Sequence, residues 1–445
     1  MTSTATYFTL LMVMLTFLVP RRWIALPLIF SGCYMTMGQR IIILELDFTI
    51  FRIILIAAWL RLLLRSEAAF FRWNTMDRVL VAWSIVTVIT GGFLEGFQAG
   101  FVHRLGVIYN TLGLYFFFRL LIRDRRDIEA LLLLMALASL PLALLMLHEK
   151  MTGFNLFYVF GGVPETTIIR DGRLRCQGSF GHPILAGSFG ATLFPLCAGL
   201  WYARPGWRPV ASVALLATTV ITFTSASSGP LMVYAAIIMA FGLWCARNYM
   251  RTIRWLVVAM LVGLELVMKS HVWFLFGRLS NVIGGTGWHR AELIDSAIRH
   301  FGAWWLTGST MTEDWIEFGV SNIERSADIT NQFIFEGVSG GMFRMGLFIA
   351  LVALAFQSVG RARRTAHRAG ARDLEFLFWS IGCGLFAHIL TFFSVFYFDQ
   401  MVIFWNLALA MASYLRDVEV ADATSPDEIA DVIHDTPAEM INQPA

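Results

Sequence analysis

Stretches of about twenty mainly apolar residues recur along nearly the whole of this 445-residue chain. No other feature constrains its fold as strongly, because a bilayer core takes roughly 20 such residues per helix. The runs fall near 4–20, 22–38, 47–64, 78–94, 104–122, 128–148, 183–201, 209–225, 229–246, 253–269, 338–359, 374–394 and 397–415. They predict an all-α polytopic membrane protein with about 12–13 transmembrane helices. The first two meet at Pro20-Arg21-Arg22, where one broken hairpin and two short spans both fit. Composition agrees: 57% of residues are hydrophobic and 15% charged, against roughly 45–50% apolar and 25% charged in soluble domains. A soluble enzyme, a disordered regulator and a disulfide-stapled secreted domain are excluded.

Charge divides the chain. Residues 1–416 hold all 34 Lys and Arg against 23 acids, a formal +11. Residues 417–445 hold eight acids and no Lys or Arg, and with Pro426, Pro437 and Pro444 they predict a disordered, acidic cytoplasmic tail. All but two of the basic residues are arginine, the better bidentate partner for phosphate and carboxylate. Five scattered cysteines show no CxxC or Cys/His spacing, so no metal site and no cofactor are expected. No basic segment precedes the first apolar run, so a cleaved signal peptide is not expected either.

Short loops carrying Arg123, Arg125 and Arg126, then Arg204 and Arg208, then Arg247, Arg251 and Arg254, then Arg361 to Arg372, alternate along the chain. The positive-inside rule places them, and the tail, in the cytoplasm. Two long loops, about 149–182 and 270–337, then face outward. The polar residues gather in these loops above an apolar bundle, which suggests chemistry at the outer membrane–water interface on a lipid-anchored substrate.

The first loop contains Arg170-Asp171-Gly172-Arg173-Leu174-Arg175 and then Gly178-Ser179-Phe180-Gly181-His182-Pro183. Three arginines within six residues run against the positive-inside bias, and guanidinium forks suit a diphosphate. Such a cluster also fits lipid headgroups or neighbouring acids. His182 fits either a proton carrier or a structural histidine at a helix start. The second loop contains Trp288-His289-Arg290 running to Arg299-His300-Phe301, whose apolar positions 293, 294, 297, 298 and 301 predict an amphipathic helix across the bundle mouth. His289 and His300, eleven residues apart, fall near one stripe. Arg290 is the leading candidate for a second phosphate-binding arginine. Asp295 and Arg299 form an i,i+4 pair of structural character. Trp288, Trp304, Trp305 and Trp315 fit interfacial anchors or a sugar platform. Asp328 or Thr330 fits a helix cap. Asn331 and Glu336, polar at the hydrocarbon edge, fit sugar binding or helix bridging.

These pieces, in this order, resemble the membrane O-antigen ligase and polysaccharide polymerase superfamily over roughly residues 104–350. The carriers are Arg119 with Ile122-Arg123-Asp124, Arg173-Leu174-Arg175, Gly178 to Pro183, Thr222-Phe223-Thr224-Ser225, Arg290-Ala291-Glu292-Leu293, Leu306-Thr307-Gly308, and Asn331-Gln332-Phe333 with Glu336-Gly337. The resemblance implies a multi-pass protein of the bacterial inner membrane. It further implies metal-independent, inverting glycosyl transfer from an undecaprenyl-diphosphate donor to a glycan acceptor, as in exopolysaccharide or lipopolysaccharide assembly. Membrane lipid and other polysaccharide-assembly proteins are the implied partners; no nucleic acid is expected. Catalytic roles fall on Arg290, Asp328 and His289, and substrate binding on Arg173, Arg175, Arg170, His182, Asn331 and Glu336. The chain departs from the ligase pattern at Thr330, where ligases carry histidine before the asparagine, and at Ser225-Ala226-Ser227-Ser228-Gly229, where the family has Ser-Arg-Gly. Both departures favour polymerase over ligase, and leave Asp328, Glu336, His289 and His300 as candidate bases.

Two other classes compete. Glu45-Leu46-Asp47 fits the acidic motif of a metal-dependent oligosaccharyltransferase, although hard cations want more oxygen ligands than two carboxylates offer. A transporter for lipid-linked sugars would need polar residues through the bilayer, and His148, Glu265, His388 and Asp399 sit mostly at span ends, with Arg52 further in.

Overall fold

The computed structural model describes residues 1–43, 46–68, 71–278, 285, 287–315 and 328–424. It is an all-α polytopic membrane protein. Seven helical stretches among the described residues are long and apolar enough to cross a bilayer. Of the 12–13 expected runs, three form shorter helices (Ser3–Leu18, Leu26–Tyr34 and Ile50–Leu64), two lie within the single stretch Ser228–Val267, and two form the long helices Phe97–Leu121 and Met401–Thr424, which are not among the seven.

The chain opens with α1 (Ser3–Leu18) and α2 (Leu26–Tyr34), two separate helices divided by Pro20 and a 3₁₀ turn at Arg21–Trp23. A β-hairpin, β1 (Arg40–Ile43) and β2 (Leu46–Thr49), leads into α3 (Ile50–Leu64). Next come α4 (Thr75–Glu95), α5 (Phe97–Leu121) and α6 (Arg125–Thr152). A capping box between Asn74 and Asp77 starts α4, and Asp124 caps α6. Gly153, at φ +72°, ends α6 in the left-handed conformation that favours glycine. After a second small hairpin come α7 (Pro183–Ala203), α8 (Arg208–Thr224), α9 (Ser228–Gly242) and α10 (Met250–Val267). The connection expected around Arg247 to Arg254 is a 3₁₀ turn at 243–249, so helical geometry runs without an open loop from Ser228 to Val267. The chain still reverses there: Arg247 meets Glu375 at one end of the bundle, while Ser228 before it and Phe276 after it lie at the other. No side chain of α10 is buried; Trp255, Met260 and Leu266 point outward, as on a lipid-facing helix.

The second long loop holds α11 (Gly287–Arg299), the one-turn α12 (Phe301–Trp304) and α13 (Gln332–Val338). Three long helices close the chain: α14 (Gly341–Arg368), α15 (Arg372–Phe392) and α16 (Met401–Thr424). The last carries straight through Arg416, where the acidic tail was expected to start, because Asp417 is held by Arg119 and by Asn74 Nδ2 at 2.9 Å. The remainder of the tail, 425–445, lies outside the described residues, as does Glu45.

The centre of the bundle is α6 and α7, packed against α8, α9 and α15. Glycine sets one spacing. A Cβ at Gly187 would fall 2.3 Å from Ser225 Oγ, and one at Gly190 would fall 2.7 Å from the Thr218 carbonyl, so α7 and α8 approach as only small residues permit.

Helix directions alternate, which gives the bundle two chemically distinct ends. At one, arginines meet buried acids. Arg21 and Arg22 reach Asp127 at 3.1 and 3.3 Å, and Glu129 takes Arg125 and Arg204. Glu375 takes Arg247 and Arg363 at 2.8 Å each and His367 at 3.1 Å. The other end carries both long loops.

Candidate functional site

The first loop folds back on the bundle rather than extending from it. Its strands β3 (Ile168–Arg170) and β4 (Arg173–Arg175) pair antiparallel, with Arg170 opposite Arg173. Asp171 and Gly172 join them at φ +50° and +70°, the two-residue turn that Asp-Gly favours. Strand alternation sends Arg173 and Arg175 to one face. Below the hairpin, the Glu149 carboxylate accepts from Gln177 N–H (3.1 Å), Gly178 N–H (2.9 Å) and the Thr167 hydroxyl (3.1 Å). Lys150 Nζ donates to the Leu174 carbonyl and Asn155 Nδ2 to that of Gly178. None of these anchors was singled out from sequence.

The second loop brings α11 over the same place. Arg290 is only 6% exposed. The Trp304 indole donates to the Ala297 carbonyl at 2.8 Å, and Trp304 is buried with Leu293 and Ala297. Trp288 and Trp305 remain about half exposed. Between the loops lies a cavity of about 720 Å³. It collects Arg170, Arg173, Arg175, Arg290, His182, His289, Asp328 and Thr330 on one wall system, and the α8–α9 turn from Ala226 to Gly229 beneath. The opposite wall is Val395, Phe396 and Phe398 from the α15–α16 connection. Four arginines face two aspartates, Asp171 and Asp328.

The arginines are incompletely satisfied. Arg175 Nη2 donates to Ser227 Oγ at 2.9 Å, while its Nε is buried without a partner. Arg290 Nε is likewise buried and unpartnered, and no carboxylate lies within ion-pair distance of Arg290 among the described residues. Burial, with repulsion from Arg170, pushes Arg290 down to about 10 and Arg175 below the usual guanidinium range. Both stay charged at neutral pH. A desolvated cation of this kind is stabilised by an anion.

The two cavity histidines differ. His182 caps α7, its Nδ1 accepting from Ile184 N–H at 3.2 Å. The proton of the neutral ring therefore sits on Nε2, making His182 a hydrogen-bond donor. Burial and the nearby Arg175 and Arg170 push it down to about 4, so the neutral ring is favoured at pH 7. His289 is the reverse: Nε2 donates to the Asp328 carbonyl at 3.2 Å, which leaves Nδ1 as a free acceptor.

The other expected site residues lie elsewhere. Asn331 caps α13, accepting from Phe333 and Ile334 N–H. Glu336 is buried, 2.8 Å from Arg344 Nε, and takes hydrogen bonds from the Trp83 indole and Gln332. Asn331 thus starts its own helix, and Glu336 bridges α4, α13 and α14. His300 leaves the stripe of His289 because α11 ends at Arg299; its ring stacks on Trp315 at 5.3 Å. Asp47 pairs with Arg40 on the first hairpin. Arg52, partly buried in the first turn of α3, is satisfied by Asn110 and by the carbonyls of Asp47 and Gly106, and the buried His388 meets the Tyr397 hydroxyl at 2.6 Å. Among the described residues no group of three or more His, Cys, Asp or Glu is placed to hold a metal. The sequence reading missed the aromatic wall at 395–398, whose residues merge with the flanking apolar spans.

Compared with known protein families and with curated proteins, the chain has no match.

Proposed function

We propose that this protein is a glycosyltransferase of the polysaccharide polymerase or ligase type. It takes a glycan from an undecaprenyl-diphosphate donor at the outer face of the bacterial inner membrane, and polymerase is the favoured branch. One observation supports this above the others: four arginines from two distant loops converge on one cavity at one end of a membrane bundle, with two of them desolvated and lacking a carboxylate. A diphosphate is the ligand that such forks complement. The apolar wall of Phe396 and Phe398 beside them suits the hydrocarbon that follows the phosphates.

In this mechanism an acceptor hydroxyl attacks the anomeric carbon while the bond from that carbon to the phosphate oxygen breaks. The arginines stabilise the charge that collects on the leaving diphosphate, an electrostatic contribution of the oxyanion-hole kind. His289 Nδ1 receives the hydroxyl proton. Its ring is tied to Asp328, two residues from Thr330, so a histidine reaches from α11 to the neighbourhood where the ligase pattern has its own. Thr330 Oγ, buried and unpartnered, offers a hydrogen bond to substrate.

The test is purified full-length protein given an undecaprenyl-diphosphate repeat unit and no other acceptor. A ladder of products is expected. A requirement for lipid A core would make the protein a ligase, and no turnover with either acceptor would overturn the proposal.

A further inference from the structure

The cavity floor is the turn between α8 and α9, and its backbone is unusual. Ala226 sits at φ +45°, rarely adopted by a residue with a side chain. The next residue, Ser227, occupies the N-cap of α9 without capping it: its hydroxyl donates to the Ser225 carbonyl at 3.1 Å and accepts from Arg175. The third helical residue is Pro230, which has no N–H. The N–H groups of Ser228 and Gly229 therefore open the 15-residue helix with no partner among the described residues. Arg290 lies directly over them. A Cβ on Gly229 would sit 3.4 Å from Arg290 Nη2 and 3.0 Å from Ser394 Oγ, so glycine here lets the arginine and the serine close on the helix start, at the edge of the cavity.

We propose that the part of the cavity in front of this helix start is an oxyanion seat for one phosphate of a diphosphate monoester, formed by the Ser228 and Gly229 N–H groups, Arg290, Arg175 and the Ser394 hydroxyl. Backbone donors and the positive end of the helix dipole converge there with Arg290, a residue only 6% exposed. Arg170 and Arg173, which are exposed on the hairpin, lie further out and fall to the second phosphate. The identity of the anion as a lipid headgroup rests on the transferase reading; the seat itself rests on its donors and takes free pyrophosphate by the same chemistry.

One substitution isolates the backbone donor. Ser228→Pro removes a single N–H at a position where helices accept proline, and Ser227, at φ −108° and ψ 125°, already has the extended conformation required before it. Ser228→Ala removes only the hydroxyl. Full-length protein in detergent is titrated with inorganic pyrophosphate and, separately, with farnesyl diphosphate. Wild type is expected to bind. Ser228→Pro is expected to bind about tenfold more weakly than Ser228→Ala, as for loss of one hydrogen bond to a charged group. Arg290→Gln, which removes the charge and shortens the side chain but keeps a polar donor, is expected to lose at least as much. Tighter binding of the farnesyl form assigns the seat to a lipid headgroup; equal binding assigns it to the free anion. Equal affinities of the Pro and Ala variants, an unaffected Arg290→Gln, or no binding of either probe by wild type would overturn the seat. The two proposals fail separately. Pyrophosphate binding with this pattern but no polymer leaves the seat standing, and polymer made equally well by Ser228→Pro and Ser228→Ala leaves the transferase standing without it.

Discussion

Both ends of this molecule are rich in arginine, and they use it in opposite ways. At one end Asp127, Glu129 and Glu375, each nearly fully buried, meet two or more cations apiece. At the other end the guanidinium groups of Arg175 and Arg290 are desolvated without a carboxylate. A paired cation is structural: its electrostatic demand is met when the chain folds. An unpaired, desolvated one keeps that demand for something that arrives later. Sequence shows only that both ends are basic; the acids that separate them come from other helices.

The sharpest way to break this contrast is Arg290→Ala. Loss of one preorganised donor to developing charge costs on the order of 100- to 1,000-fold in turnover, so polymer should vanish while the lipid-linked repeat unit accumulates in cells. Polymer of normal chain length would remove Arg290 from the chemistry. Next is Glu375→Gln at the paired end. Breaking a buried ion pair costs about 3–5 kcal/mol, so thermal unfolding in detergent should shift down markedly, while turnover per folded molecule stays within about twofold of wild type. A turnover defect without a stability defect would erase the distinction between the ends. Arg173→Lys keeps charge and loses the fork, and transfer should fall by about tenfold, the worth of one charge-assisted hydrogen bond. Equal activity would argue against bidentate phosphate binding at that position.

The smallest effect concerns pH. His182 has its folded pKa near 4, below its ordinary 6.5. Between those values the unfolded chain binds the proton and the folded one does not. This contribution to stability is thus complete above pH 6.5 and is lost as pH falls toward 4. His182→Asn, whose side-chain oxygen still caps α7, should flatten that part of the stability curve, read as thermal unfolding in detergent between pH 4 and 6.5. An unchanged curve would remove His182 as the source of this pH dependence.

Much of the architecture was legible because bilayer thickness fixes helix length. Each long apolar run contains a helix, and only local chemistry moved the boundaries: a 3₁₀ turn at 243–249 in place of an open loop, and a terminal helix carried past Arg416 by the Arg119–Asp417 pair. The site arginines were legible for a related reason, since a cluster in the loop opposite the arginine-rich connections breaks the charge pattern. Asn331 and Glu336 were harder. Their polarity at the hydrocarbon edge signals a role, but the partner that decides it, Arg344, and the donor Trp83 lie on other helices. The aromatic wall at 395–398 carries no sequence signal, because apolar residues beside apolar spans look like more span. The α8–α9 turn drew notice only for lacking an arginine, and what it offers instead is backbone, to which residue types are blind.

The anchoring of the first loop also has a thermodynamic consequence. Ordering a flexible arginine on a ligand costs about 0.5–1.5 kcal/mol per side chain, and ordering its backbone costs more. Glu149, Lys150 and Asn155 fix the strands under Arg173 and Arg175 before any ligand is present. The backbone share of that entropy is lost once, during folding, and not again each time an anion binds. Loosening Glu149 would therefore leave every arginine in the chain and still make each encounter with an anionic ligand weaker.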